Sequence, residues 1–139
     1  MSGGATVRAV SGASPWLVTL RDEHGHEWLA DEPPANGGGE RGPTPHQLLL
    51  SSLGACTVMT LRMYAARKDW QLRAVEIELR FNPHGQPPGG GSLIERRITV
   101  EGTLDAEQRT RLLELANKCP IHRVLTGEVH IATSLTPPP

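Results

Sequence analysis

The chain has 139 residues and a net charge of −1. That length fits a single domain over 1–139, and the balanced charge, with no long basic run, argues against nucleic acid or an anionic membrane as a partner. Three Trp, one Tyr and one Phe are the only aromatics, so core volume must come from Leu, Val, Ile, Ala and Met. The start, Met1-Ser2-Gly3-Gly4, has no basic region followed by an apolar one, so no secretory signal is expected. A cytoplasmic location follows, where thiols rest reduced and a disulfide is transient.

The first third reads as strands. Residues 6–10 alternate weakly. Pro15 opens a second run over 16–20, and 26–30 follow the turn Asp22-Glu23-His24-Gly25. Turn chemistry between two apolar runs predicts a hairpin. Residues 31–43 form a long loop rich in Pro and Gly, which reads equally as a functional element or as a plain connector.

Thr44-Pro45 then starts the strongest helix, which runs to about Lys68. Thr44 can cap, and Pro45 suits the first helical position because its missing N–H would lack a partner there anyway. Leu49, Leu53, Cys56, Thr60 and Met63 recur on one face at helical spacing; Leu50, Ala55, Val58, Met59 and Leu61 add apolar surface elsewhere. A helix apolar on several sides needs cover on several sides, and a second subunit is one source of it, with Gly54 and Ala55 allowing close approach. The stretch 48–64 nears the length of a membrane span, but Ser51, Ser52, Thr57, Thr60 and Arg62 leave it short of the ~20 apolar residues required, and it reads as a buried helix.

Residues 72–81 alternate as a half-buried strand, the segment 82–92 is a Gly/Pro-rich link, and 93–100 is the antiparallel mate. Asp105 caps a second helix, with Gln108 at the capping-box position. Leu112, Leu115, Ala116 and Cys119 line its inner side, and Pro120 either ends it or begins a short new helix. Residues 128–135 alternate as a final strand, and 136–139 are a tail. The order predicts an α+β domain with mainly antiparallel sheet and its helices packed on one face.

Two cysteines, Cys56 and Cys119, are the chemistry-bearing residues. Cys56 lies inside its helix, roughly 18 Å from the N-terminus at about 1.5 Å per residue, beyond the reach of the dipole. Its activation needs a cation or base delivered by folding; otherwise it is a small core residue. Cys119 has Lys118, His122 and Arg123 close in sequence, groups that favour a thiolate if they face it. Metal is not expected: with Cys119, His122 and Cys56 as ligands the fourth candidate is His46, which lies about 15 Å from Cys56 along the same helix. In the run Glu95-Arg96-Arg97 successive residues face opposite ways, so Arg96 and Arg97 cannot share a site, and both read as solvated.

The run from Gly42 to Cys56, with Cys119-Pro120-Ile121-His122 downstream, resembles the OsmC family, which includes the organic hydroperoxide resistance (Ohr) proteins. The resemblance covers almost the whole chain and is closest to the OsmC-like branch that shares the Asp31-Glu32-Pro33 and Gly37-Gly38 loop. It implies an intertwined homodimer, with a six-stranded sheet wrapped around central helices and active sites at the dimer interface. It also implies a cysteine-based peroxidase, peroxiredoxin-like in its chemistry, that reduces organic hydroperoxides in the oxidative stress response. By motif match Cys56 would attack the peroxide and Cys119 would resolve, with no cofactor and a dithiol as possible reductant. In the resembling enzymes a glutamate follows the helix-starting proline and an arginine sits in the turn after the first strand. This chain has His46 and Ser11-Gly12-Ala13-Ser14 there, so His46 and His122 are the candidate helpers. The alternative implied by those differences is a non-catalytic module that binds a small ligand or serves structure.

Overall fold

In a computed structural model describing residues 4–137, five strands, three α-helices and a short 3-10 turn at Pro34–Asn36 form. Met1, Ser2 and Gly3 of the expected leaderless start, and Pro138 and Pro139 of the expected tail, lie outside the described residues. Strands β1 (Val7–Ser11), β2 (Val18–Asp22) and β3 (Glu27–Ala30) make an antiparallel meander. The β2–β3 turn is held by Asp22, whose carboxylate accepts the N–H groups of His24 and His26 at 2.9 Å each. The second strand was expected from Trp16, but the Gly12 N–H donates to the Leu17 carbonyl at 2.8 Å. That bond closes a turn over 13–16 and leaves Trp16 half exposed outside the ladder.

The long loop is ordered from within. Asp31 is buried, and its carboxylate accepts the N–H groups of Glu32 at 2.8 Å and Arg41 at 3.1 Å. Burial pushes the Asp31 carboxyl up, but these backbone donors and the Arg41 charge outweigh it and hold it below its ordinary value. Gly38 is required there: a Cβ would stand 1.9 Å from the Glu32 carbonyl oxygen.

Helix α1 (Pro45–Arg67) begins on the expected cap, extended into a capping box: the Thr44 hydroxyl accepts the Gln47 N–H at 3.2 Å and the Gln47 side chain accepts the Thr44 N–H at 2.9 Å. Strands β4 (Gln71–Phe81) and β5 (Ile94–Thr103) form a separate two-stranded ribbon. Asp105 and Gln108 close the predicted capping box of α2 (Ala106–Ala116), and Pro120 does begin a new helix, α3 (Pro120–Thr126). The ribbon, α2 and α3 all pack on α1. The meander's strands contact mainly one another.

Three expectations change. Residues 128–135 form no strand: they pair with none of the open sheet edges, and Ile131 and Leu135 stand 86% and 93% exposed. The buried stripe of α1 is Leu53, Thr57, Leu61 and Ala65 with Gly54 and Cys56, set by the ribbon crossing it; Leu49 and Met63 of the expected face are exposed. Gly54 serves close approach to β4 within the chain, where a Cβ would lie 2.9 Å from Leu79 Cδ1. By length and hydropathy α1 also passes for a membrane span, yet one side of it is the centre of the folded core.

Candidate functional site

The fold brings the two sulfurs together. Cys56 arrives on the middle of α1 and Cys119 on the corner between α2 and α3. Both are free thiols, 5% and 0% exposed, in one cluster with Leu53 and walled by Leu79, Ile94 and Ile121. Cys56 and Cys119 pack against each other in that cluster. Cys119 is itself the N-cap of α3, its Sγ accepting the His122 N–H at 3.2 Å. Thr60, one turn beyond Cys56, keeps a buried hydroxyl with no hydrogen-bond partner, near enough to the same sulfur to favour its thiolate.

Burial is the largest influence on Cys56 and pushes its thiol up; the Cys119 neighbour adds to the rise, and the Ile121 N–H and Thr60 hydroxyl only partly oppose it. Within one chain, Cys56 therefore rests as a protonated thiol. The arrangement is a pair of neighbouring, buried free cysteines.

His46 does not join the thiols: its ring packs on Phe81, tilted by 45°, at 4.6 Å between centroids. Lys118 and Arg123 are exposed. His122 does lie at the site, but its ring faces Arg96, with the guanidinium Nη2 donating to Nδ1 at 3.1 Å. Burial, and then the Arg96 charge, hold the imidazole below its ordinary value.

Arg96 was expected in solvent. It is half-buried instead, donating to the Thr57 hydroxyl at 3.1 Å and to the Asn117 side-chain carbonyl at 3.0 Å. The signal was present in the alternation of β5: Ile94, Arg96, Ile98 and Val100 share the row that faces the helices, whereas Arg97 faces away. Thr57 and Thr60 carried a weaker signal, since hydroxyls on the apolar side of a helix need partners.

Beside the thiols a cleft of about 470 Å³ opens, lined in part by Leu53, Ile94, Arg96, Asn117, His122 and Leu125. Leu53 and Ile94 also touch the sulfur cluster, so the cleft backs onto it. A larger groove of about 690 Å³ lies between Tyr64, Trp70 and Arg111 and contains neither cysteine.

The sequence matches the family described as OsmC-like protein over residues 37–134. It is 31% identical over 101 residues to the organic hydroperoxide resistance proteins of Xanthomonas axonopodis pv. citri and Xanthomonas campestris pv. phaseoli, covering 71% of this chain and 70% of each relative. The fold is similar to that of an OsmC-like protein from Mycoplasma pneumoniae, with TM-score 0.75 and 20% identity over 91% of this chain and 90% of that one. It is also similar to the organic hydroperoxide resistance protein OhrB of Bacillus subtilis, with TM-score 0.61 and 24% identity over 90% of this chain and 92% of that one. The chain belongs to the OsmC-like family.

Proposed function

We propose that this protein is a thiol-dependent peroxidase that reduces organic hydroperoxides as a homodimer, with Cys56 attacking and Cys119 resolving. The observation that supports it is the contact of two buried free thiols delivered by different elements. The organic hydroperoxide resistance relatives point to the same substrate class. The Cys56 thiolate takes the terminal oxygen of ROOH, giving sulfenic acid and releasing ROH once a proton is supplied. The Cys119 thiol then displaces that hydroxyl as water and leaves a Cys56–Cys119 disulfide. A dithiol returns both sulfurs to the thiol state by exchange. In a reducing compartment such as the cytoplasm the pair rests reduced. The cleft behind Leu53 and Ile94 offers apolar surface to the organic part of the peroxide.

Activation of Cys56 is assigned to the assembled dimer. Three apolar surfaces of the single chain call for a second copy: the uncovered side of α1 with Met59 and Met63, the meander with Val7, Val10 and Trp16, and the strand-patterned segment 128–135. A meander from the partner laid over α1 would cover the thiols and bring its own charges to them.

One observation favours a second reading. The raised thiol of Cys56, with His46 on Phe81 where the resembling enzymes carry a glutamate, suits a non-catalytic ligand-binding module. One experiment separates the two. Peroxide consumption with a dithiol reductant is compared for the parent and Cys56→Ser, and both are sedimented. The peroxidase reading expects turnover in the parent and at least a hundred-fold loss in the variant, about the scale of losing a nucleophile. Equal rates end it. A sedimentation mass near the 15.1 kDa of one chain ends the dimer.

A further inference from the structure

The row of β5 facing the helices is Ile94, Arg96, Ile98 and Val100, with Arg96 directly opposite Leu79 of β4. A guanidinium in an apolar row is costly to desolvate and must be held by acceptors. Among the described residues no carboxylate lies within 4.0 Å of it. Its acceptors are three neutral groups: Thr57 Oγ1, Asn117 Oδ1 and His122 Nδ1.

The places of those three residues matter more than their number. Thr57 follows Cys56 on α1. Asn117 caps the C-terminus of α2, two residues before Cys119, and His122 donates its N–H to the Cys119 sulfur. One side chain therefore bonds to both segments that carry the thiols. The donor and acceptor roles are consistent throughout. The Thr57 proton is used on the Leu53 carbonyl at 2.7 Å, so its lone pairs face Arg96. Guanidinium only donates, so His122 must present a bare Nδ1 and carry its proton on Nε2.

We propose that Arg96 is the positioning residue of the thiol couple, a clip that fastens the α2–α3 corner to α1 and keeps Cys119 against Cys56. This rests on reading the two cysteines as a redox pair. Closing the disulfide brings the sulfurs from packing contact to a bond of about 2.05 Å. The more firmly the corner is held near α1, the higher the effective concentration of one thiol for the other. Without Arg96, the corner keeps only its apolar contacts and the ends of α2 and α3.

The test is the equilibrium with glutathione: the protein dithiol and glutathione disulfide give the protein disulfide and two glutathione thiols, two electrons and two protons passing to glutathione. The full-length parent, R96M, R96K and N117A are equilibrated in graded glutathione buffers, and the disulfide is counted by alkylation and mass measurement. Thermal unfolding is recorded alongside. R96M should favour the dithiol about ten-fold or more relative to the parent, N117A about two- to five-fold, and R96K should fall between. A merely structural arginine would lower the melting temperature and leave this equilibrium in place. A folded R96M within about two-fold of the parent overturns the clip. If R96M does not fold, R96K and N117A both within that margin do the same. A parent that forms no Cys56–Cys119 disulfide in any buffer overturns the redox pair and the clip together, whereas a parent that does form it while the variants match it overturns the clip alone.

Discussion

Helix α1 and the β4–β5 ribbon build two clusters, one at each end of their contact, and the clusters differ in kind. Around Leu61 the packing is conventional: Leu112 and Leu115 from α2, with Leu72, Val75, Ile98 and Val100 from the ribbon. Around Cys56 the same two elements enclose two thiols, an unpartnered hydroxyl and a guanidinium. The first end holds α1 in place. The second end carries polar groups that a stability-driven core would leave out. That contrast separates the part of the helix that supports the fold from the part on which the proposed chemistry rests.

The contrast can be tested from both ends. The largest effect on stability is expected at the supporting end: Leu61→Ala, at a fully buried position, should lower unfolding free energy by about 3 kcal/mol in a denaturant titration. A loss under about 1 kcal/mol would mean that this end is not the anchor. At the reactive end, Thr60→Val should leave stability within about 1 kcal/mol, because it exchanges an unsatisfied hydroxyl for a methyl. It should also push the Cys56 thiol further up and slow its alkylation about three-fold at neutral pH. Faster alkylation would contradict the influence of Thr60 on the sulfur.

The smallest effect concerns His122. Its folded-state pKa lies below that of the unfolded chain, so the unfolded state takes the proton first as pH falls. Its contribution to stability is complete above the ordinary imidazole range and is lost as pH drops through the folded value. Between about pH 7 and about pH 5 the parent should lose more stability than His122→Asn, whose side chain does not titrate. Equal losses would mean that the proton never competes with Arg96 for that ring.

Much of this architecture was legible in the residues. Thr44-Pro45 with Gln47, and Asp105 with Gln108, are local signals, and local hydrogen bonding decided them. The row 75, 77, 79, 81 showed β4 because period-two alternation needs only one covered face. The failures are non-local. Residues 128–135 have the pattern of a strand, but a pattern does not supply a ladder. The inner stripe of α1 was displaced because several faces are apolar and only the crossing ribbon selects among them. For the site, the local motifs around Cys56 and Cys119 carried the pair. Arg96 was missed because its charge was weighed before its place in the row. His46 was named because of its position at the helix start, and Phe81, 35 residues away, captured it.

Helix α3 starts on sulfur where most helices start on oxygen. A thiol is a weak acceptor, so the first turn of α3 is loosely moored, and its mooring is the atom expected to change oxidation state. A bond between Cys119 and Cys56 would require the His122 amide to keep or surrender its hold. Everything downstream, from Pro120 through the extended C-terminal segment, thus hangs from a fastening that the catalytic cycle itself would tug.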